Sequence, residues 1–237
     1  MRLPFLYVGF IALTVCLARC GGAPTTDSSK IQAILEMKRA TDHHSYSHPD
    51  EAVVTHLNWN ASIDFKTRVI TATATYDIET TTDAERIIFD CNNLTILAVR
   101  VDDEAVNFEV GSTKPFVGQP LIFPVSGESK KVSIDYQSSP DAGALLWVDG
   151  DNPFLFTQSQ AILARTWIPC QDSPGIRFTY EAHVDVPRGT MALMSATNPT
   201  VQSDDGHYDF RMEQKIPSYL LALAVGNVEF RSVGAHT

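Results

Sequence analysis

The segment Phe154-Leu155-Phe156-Thr157-Gln158-Ser159-Gln160-Ala161-Ile162 sets two glutamines among apolar neighbours. Arg165 and the run Trp167-Ile168-Pro169-Cys170-Gln171-Asp172-Ser173-Pro174 follow closely. A primary amide offers one carbonyl acceptor and two N–H donors, and burying it unpaired costs about 1–3 kcal/mol. Two chemistries are therefore open to Gln158 and Gln160. Either they satisfy nearby loop backbone, which is the simpler use, or they line a cleft and accept from the N–H groups of a ligand.

Other reactive residues form no recognisable set. The 7 histidines are His43, His44, His48, His56, His183, His207 and His236. None falls in H-E-x-x-H, the helical pair that binds zinc with a glutamate as general base. His43, His44 and His48 are closely spaced, but a zinc site needs further ligands on an ordered scaffold. His183 alternates with apolar residues and reads as a solvated strand residue. Asp102-Asp103-Glu104 lies between Val101 and Val106, as a hairpin turn would. There is no G-x-S-x-G elbow and no glycine-rich phosphate loop. No catalytic or metal-ligating residue is assigned.

The elements that must carry these residues are strands. Leu57, Trp59, Ala61, Ile63 and Phe65 alternate with His56, Asn58, Asn60, Ser62 and Asp64. After a turn at Lys66-Thr67, Ile70, Ala72, Ala74, Tyr76 and Ile78 alternate with polar residues. Period two gives one buried face and one wet face, so the pair reads as a long β-hairpin. Shorter strands are predicted over 87–89, 96–101, 106–110, 121–125, 131–136, 178–186, 191–196, 208–212 and 220–230. Residues 141–150 and 157–175 break the alternation and read as loops leaving the scaffold, where binding residues concentrate. The expected fold is all-β, an antiparallel sandwich or saddle of sheets.

The 237 residues carry 28 acidic and 18 basic side chains, a formal charge of -10 with no basic run. That balance argues against nucleic acid, whose phosphates need clustered Lys and Arg. Met1-Arg2 followed by an apolar stretch to Ala18 and then small residues has the shape of a secretory signal. Residues 1–20 are accordingly expected to direct export to the periplasm or cell envelope. Leu17-Ala18-Arg19-Cys20 also resembles a bacterial lipoprotein signal, although Arg19 stands where a small residue is usual. Lipidation of Cys20, and with it a membrane tether, is the alternative to simple cleavage. Residues 21–50 read as a polar linker and 51–237 as the folded domain. Cys91 and Cys170 read as two separate buried thiols.

Taken together, several runs resemble the N-terminal domain of the aminopeptidase N and leukotriene hydrolase family of zinc aminopeptidases, the gluzincins. They are Thr157 to Ile162, Arg165, Pro169 to Pro174, Leu193-Met194-Ser195-Ala196, Pro217-Ser218-Tyr219-Leu220 and Val225-Gly226. The likeness runs from about His56 to Arg231. It is nearest the leukotriene hydrolase branch, where Gln-x-Gln-Ala replaces Gln-x-Glu. It implies a saddle of β-sheets capping a zinc domain, with one loop entering the shared cleft. On that resemblance, Gln160 helps hold the free α-amine of a peptide substrate. Gln158 and Ala161 line the pocket for its first side chain, while Arg165, Cys170 and Asp172 brace the loop.

The family's Gly-x-Met-Glu-Asn strand, H-E-x-x-H pair, downstream glutamate and catalytic tyrosine have no counterpart in these 237 residues. The resemblance thus implies zinc in a complete enzyme and none bound by this chain. It also implies a C-terminal zinc domain as partner and no hydrolysis by this chain alone. A stand-alone, non-catalytic β-module for peptide binding or adhesion at the cell envelope is the alternative function. A carbohydrate-binding sandwich would need exposed aromatic residues on one face, and Trp147 and Trp167 do not suggest one.

Overall fold

The computed structural model describes residues 42–234. The proposed signal sequence, Cys20 and most of the proposed linker lie outside the described residues, as does His236.

Strand β1 (Ala52–Asp64) and β2 (Val69–Thr80) form the long hairpin that the alternation predicts. Leu57, Trp59, Ala61 and Ile63 are buried, and so are Ile70, Ala72, Ala74, Tyr76 and Ile78. Val54 also points inward although it is three residues from Leu57. The register slips between Val54 and His56, and that bulge lets Val54 and Leu57 both face the core. The strands that follow are β3 (Arg86–Cys91), β4 (Thr95–Val101), β5 (Glu104–Ala105), β6 (Glu109–Val110), β7 (Gln119–Pro124) and β8 (Lys131–Gln137). Asp102 and Asp103 have φ of 49° and 70°, which makes the turn between β4 and β5 one that favours Asp and Asn. The predicted strand over 106–110 is instead a crossing. β5 belongs to one sheet and β6 to another, so the chain leaves the first sheet at Val106.

Two strands were not foreseen, β9 (Leu145–Val148) and β10 (Phe154–Thr157). Each has four residues, too few for alternation to stand out. The last four strands are β11 (Arg177–Asp185), β12 (Met191–Met194), β13 (His207–Pro217) and β14 (Leu223–Gly226). β14 is far shorter than the predicted 220–230, because a 3-10 turn at Ser218–Leu220 precedes it.

Three sheets result. The largest has the order β13-β11-β1-β2-β8-β4-β5, the second β12-β14-β10-β9, and the third β3-β7-β6. All pairings are antiparallel except β1 with β11, which runs parallel from His56↔Thr179 to Ser62↔Asp185. The sheets share one core. Tyr76 of β2 meets Phe89 of β3 at 5.1 Å between ring centroids, and Phe89 stacks on Phe123 of β7 at 5.6 Å. Trp59 packs edge-on against Trp167 at 5.4 Å, and its Nε1 donates to the Tyr136 hydroxyl. Gly226 ends β14 where a Cβ would come within 2.3 Å of Phe154 Cδ2, so only hydrogen lets the two strands pair closely.

The last residues of the proposed linker are docked rather than solvated. Tyr46 N–H and the Ser45 hydroxyl donate to the Asp90 carboxylate at 2.7 and 2.5 Å, and Ser47 is buried. The ordered domain thus begins before residue 51.

Candidate functional site

β10 lies between β14 and β9, and it feeds directly into the glutamine segment. Period two continues past its end. Leu155 and Ser159 point inward, whereas Phe156, Gln158 and Gln160 point outward and are exposed. The inward side is pinned. The Thr157 hydroxyl accepts from Leu223 N–H at 2.9 Å, and Gln158 N–H donates to Ala144 O at 2.9 Å. Ser159 is the anchor beneath the loop. Its hydroxyl donates to Leu221 O at 3.1 Å and accepts from Trp167 Nε1 at 3.0 Å. Leu163 N–H closes the loop onto Ser159 O at 2.9 Å.

Gln158 and Gln160 are brought together. Gln160 N–H donates to Gln158 Oε1 at 3.1 Å, so one of the two amides satisfies loop backbone, as the simpler chemistry expects. The Gln160 side-chain amide and the Ala161 methyl remain exposed beside it, and the Gln160–Ala161 peptide is cis. On the same outward face, Leu146 of β9 lies opposite Phe156 of β10, and they stay 39% and 38% exposed. An apolar strip therefore leads up to two amides.

Residues 164–173 do not leave the scaffold. They form a buried plug, starting with a 3-10 turn at Ala164–Thr166. At its centre is Arg165, 1% exposed. Its Nε donates to Asp172 Oδ2 at 3.0 Å, and its two terminal nitrogens donate to Asp172 O at 2.9 Å and Val117 O at 2.5 Å. Asp90, fully buried in β3, lies 3.6 Å from the same guanidinium. It also accepts from Asp172 N–H at 2.9 Å. Burial pushes the Asp90 carboxyl up from the ordinary carboxylate range, and Arg165 with the Ser45, Tyr46 and Asp172 hydrogen bonds opposes that rise. Asp172 Oδ1 accepts from the Ser218 hydroxyl at 2.5 Å, tying the plug to the turn before β14.

Gln171 is equally committed. Its Oε1 accepts from Val54 N–H and its Nε2 donates to Ala52 O, which splices the plug to β1. Cys91 and Cys170 are buried and unpaired with each other. Burial holds the Cys91 thiol up at about 12 and pushes Cys170 well above its ordinary value. Neither is a nucleophile at neutral pH. Arg165 and Asp172 therefore brace the loop from within the core. Asp90, the third charge of that brace, was missed in the sequence. Its one local cue was an acid inside the apolar run Ile87-Ile88-Phe89-Asp90-Cys91.

Fold and site together define a class: a β-scaffold that carries an amide-bearing loop exposed at its surface and braced from within. A family model, the Peptidase M1 N-terminal domain, matches residues 53–220. Leukotriene A-4 hydrolase of Xenopus laevis is 37% identical over 213 residues, which is 83% of this chain and 35% of that protein. Leucine aminopeptidase 2-1 of Scheffersomyces stipitis is 29% identical over 209 residues, 87% of this chain and 33% of that protein. The leukotriene A4 hydrolase structure from Saccharomyces cerevisiae superposes with a TM-score of 0.76 at 22% identity, covering 85% of this chain and 34% of that one. The chain belongs to the Peptidase M1 N-terminal domain family. It spans about a third of the length of the relatives it matches.

Proposed function

We propose that this chain forms one wall of the substrate cleft of a zinc-dependent aminopeptidase that removes N-terminal residues from peptides. The observation that carries the proposal is the exposed Gln158–Gln160 amide pair at the end of an apolar strip, on a loop anchored from below by Ser159. An N-terminal ammonium presents three N–H donors, and the Gln160 carbonyl is an acceptor for one of them. Gln158 is held by the Gln160 N–H, so its orientation is set before any ligand arrives. Ala161 and the strip along Phe156 suit an apolar first side chain. Because both amides are neutral, the ammonium's negative partner must come from another domain.

Zinc would polarise the scissile carbonyl and activate water in the complete enzyme. The residues around Gln158–Ala161 do not fit that ion, since no His, Cys, Asp or Glu lies between Asp151 and Cys170, and Cys170 is buried away from the exposed loop. The chain's part is to bind and orient; the metal belongs to the partner domain. Residues 1–20 support export, with Cys20 as a lipid attachment point that would tether the protein to a membrane. Mass spectrometry of the mature N-terminus tests this, and a chain still starting at Met1 would refute it.

The cleft proposal is tested in the product of the complete gene. A hydrogen bond to a charged group contributes about 1.5–3 kcal/mol, so Gln160→Ala should lower kcat/KM for free-amine peptides by about 10- to 100-fold. Unchanged kcat/KM in a folded variant would refute the role of Gln160. Absence of metal-dependent release of N-terminal residues would refute the whole assignment.

A further inference from the structure

Two His-x-Asp triplets face each other in the large sheet: His183-Val184-Asp185 on β11 and His207-Tyr208-Asp209 on β13. Period two sends both ends of each triplet to the solvent face, while Val184 and Tyr208 are buried and fix the backbone. The antiparallel register sets His183 opposite Asp209 and Asp185 opposite His207. The two imidazoles lie nearly parallel, 11° apart with centroids at 6.4 Å, and the two carboxylates occupy the other diagonal.

His207 is clamped between acceptors. Its Nδ1 lies 2.8 Å from Asp185 Oδ1 and its Nε2 lies 3.3 Å from Asp209 Oδ1. With Nδ1–H given to Asp185, the Nε2 of a neutral ring carries a lone pair, and Asp209 is likewise acceptor-only. Two acceptors face each other at that distance only if an electrophile, a proton or a metal ion, joins them. His183 Nδ1 reaches the same Asp209 oxygen at 2.5 Å, and one ligand atom from each of His183, His207 and Asp209 lies within 4.8 Å of the others. Among the described residues, the ion pairs of Asp185 and Asp209 run to these histidines alone, so two negative charges meet no Lys or Arg.

We propose that His183, His207 and Asp209 bind a divalent transition-metal ion of the zinc or nickel type, with Asp185 as the positioning residue. Imidazole and carboxylate donors suit these borderline ions. Tetrahedral coordination with bonds of ~2.0–2.1 Å separates ligand atoms by ~3.3 Å, which the His207–Asp209 pair already matches. The His183–Asp209 pair must open slightly, and both side chains are exposed enough to do so, at 40% and 68%. The Asp185–His207 contact is the carboxylate–histidine arrangement that orients metal-bound imidazoles. His183, Asp185 and His207 also border an open groove of about 520 Å3 that Asn60, Ser62 and Thr73 help to line, which leaves access for the ion and a bound water. This site is independent of the Gln160 loop and of the proposed peptidase role.

Isothermal titration of ZnCl2 and of NiCl2 into the metal-free 237-residue chain tests the site. The chain should carry His43→Ala, His44→Ala, His48→Ala and His236→Ala so that only the sheet histidines report. One equivalent should bind, without competition from Mg2+. Affinity should fall at least tenfold in His207→Gln and in Asp209→Asn. Asp185→Asn should weaken binding by about 10- to 100-fold while the metal-free variant still folds, as circular dichroism would show. Zinc should also shift the ring 15N resonances of His183 and His207, a readout that needs no variant. No saturable binding, equal binding in folded His207→Gln, or unmoved histidine resonances would each overturn the proposal.

Discussion

Arg165→Met removes the one cation from the buried brace and leaves Asp90 and Asp172, 0% and 1% exposed, without it. Val117 O and Asp172 O lose a donor as well. Breaking a buried ion pair by deleting one partner costs about 3–5 kcal/mol, a large part of the roughly 5–15 kcal/mol that holds a domain folded. For a domain of this size that loss lowers the melting temperature by about 6–20 °C. The penalty should depend on pH. Burial already raises the Asp90 pKa, and Arg165 opposes the rise; without Arg165 the carboxyl moves further up. A group whose folded pKa lies above its unfolded value stabilises fully below the unfolded value, and that stability is lost as pH rises through the folded one. The deficit of Arg165→Met should therefore widen from about pH 4 upward. Urea denaturation followed by tryptophan fluorescence at pH 4.5 and 7.5 measures it. Asp90→Asn in the Arg165→Met background should recover part of the loss at pH 7.5. A deficit under about 1 kcal/mol, equal at both pH values, would refute the account of the brace.

Ser159→Ala should cost about 1–3 kcal/mol, because the buried Trp167 Nε1–H and Leu221 O lose their shared partner. Hydrogen exchange at Gln160 and Leu163 should quicken in the same variant, and unchanged exchange would argue against Ser159 as the anchor. Cys91 and Cys170 should stay unlabelled by iodoacetamide at pH 8 until denaturant is added, since burial holds Cys91 at about 12 and pushes Cys170 well above its ordinary value; peptide mass mapping reads this site by site. His207 faces Asp185, Asp209 and the ring of His183, and the Asp185 hydrogen bond raises its pKa above 6.5. Its NMR titration midpoint should lie above that value in metal-free protein and fall in Asp185→Asn. The stability it contributes is present below about pH 6.5 and is lost as pH rises through the raised midpoint. A midpoint at or below 6.5 would contradict the clamp.

The long strands were legible because one face of each is buried: Leu57 to Ile63 and Phe178 to Val184 display period two plainly. Where the pattern failed, tertiary contacts decided. Residues 164–173 have no periodicity, and their burial depends on Arg165 meeting an acid from β3 far earlier in the chain. Nothing adjacent to Asp90 announces that partner. β9 and β10 are too short to alternate, and only Glu109–Val110 of the run predicted over 106–110 is strand, because the chain changes sheets between β5 and β6. Gln158 and Gln160 were legible as unusual residues, yet their outward direction came from Ser159 being drawn inward beneath them. The facing of His183 and His207 was likewise invisible until the β11–β13 register was known.

The parallel pairing of β1 with β11 sets an order of events during synthesis. β1 emerges first and finds β2 at once across a short turn, but its other edge stays open until Thr179 to Asp185 have been made. Such a distant partner raises contact order and slows folding, and an open strand edge recruits strands from other molecules. Chains interrupted before Arg177 should aggregate through His56–Ser62 even though the hairpin is complete. The late arrival of β11 is what makes the first-made strand safe.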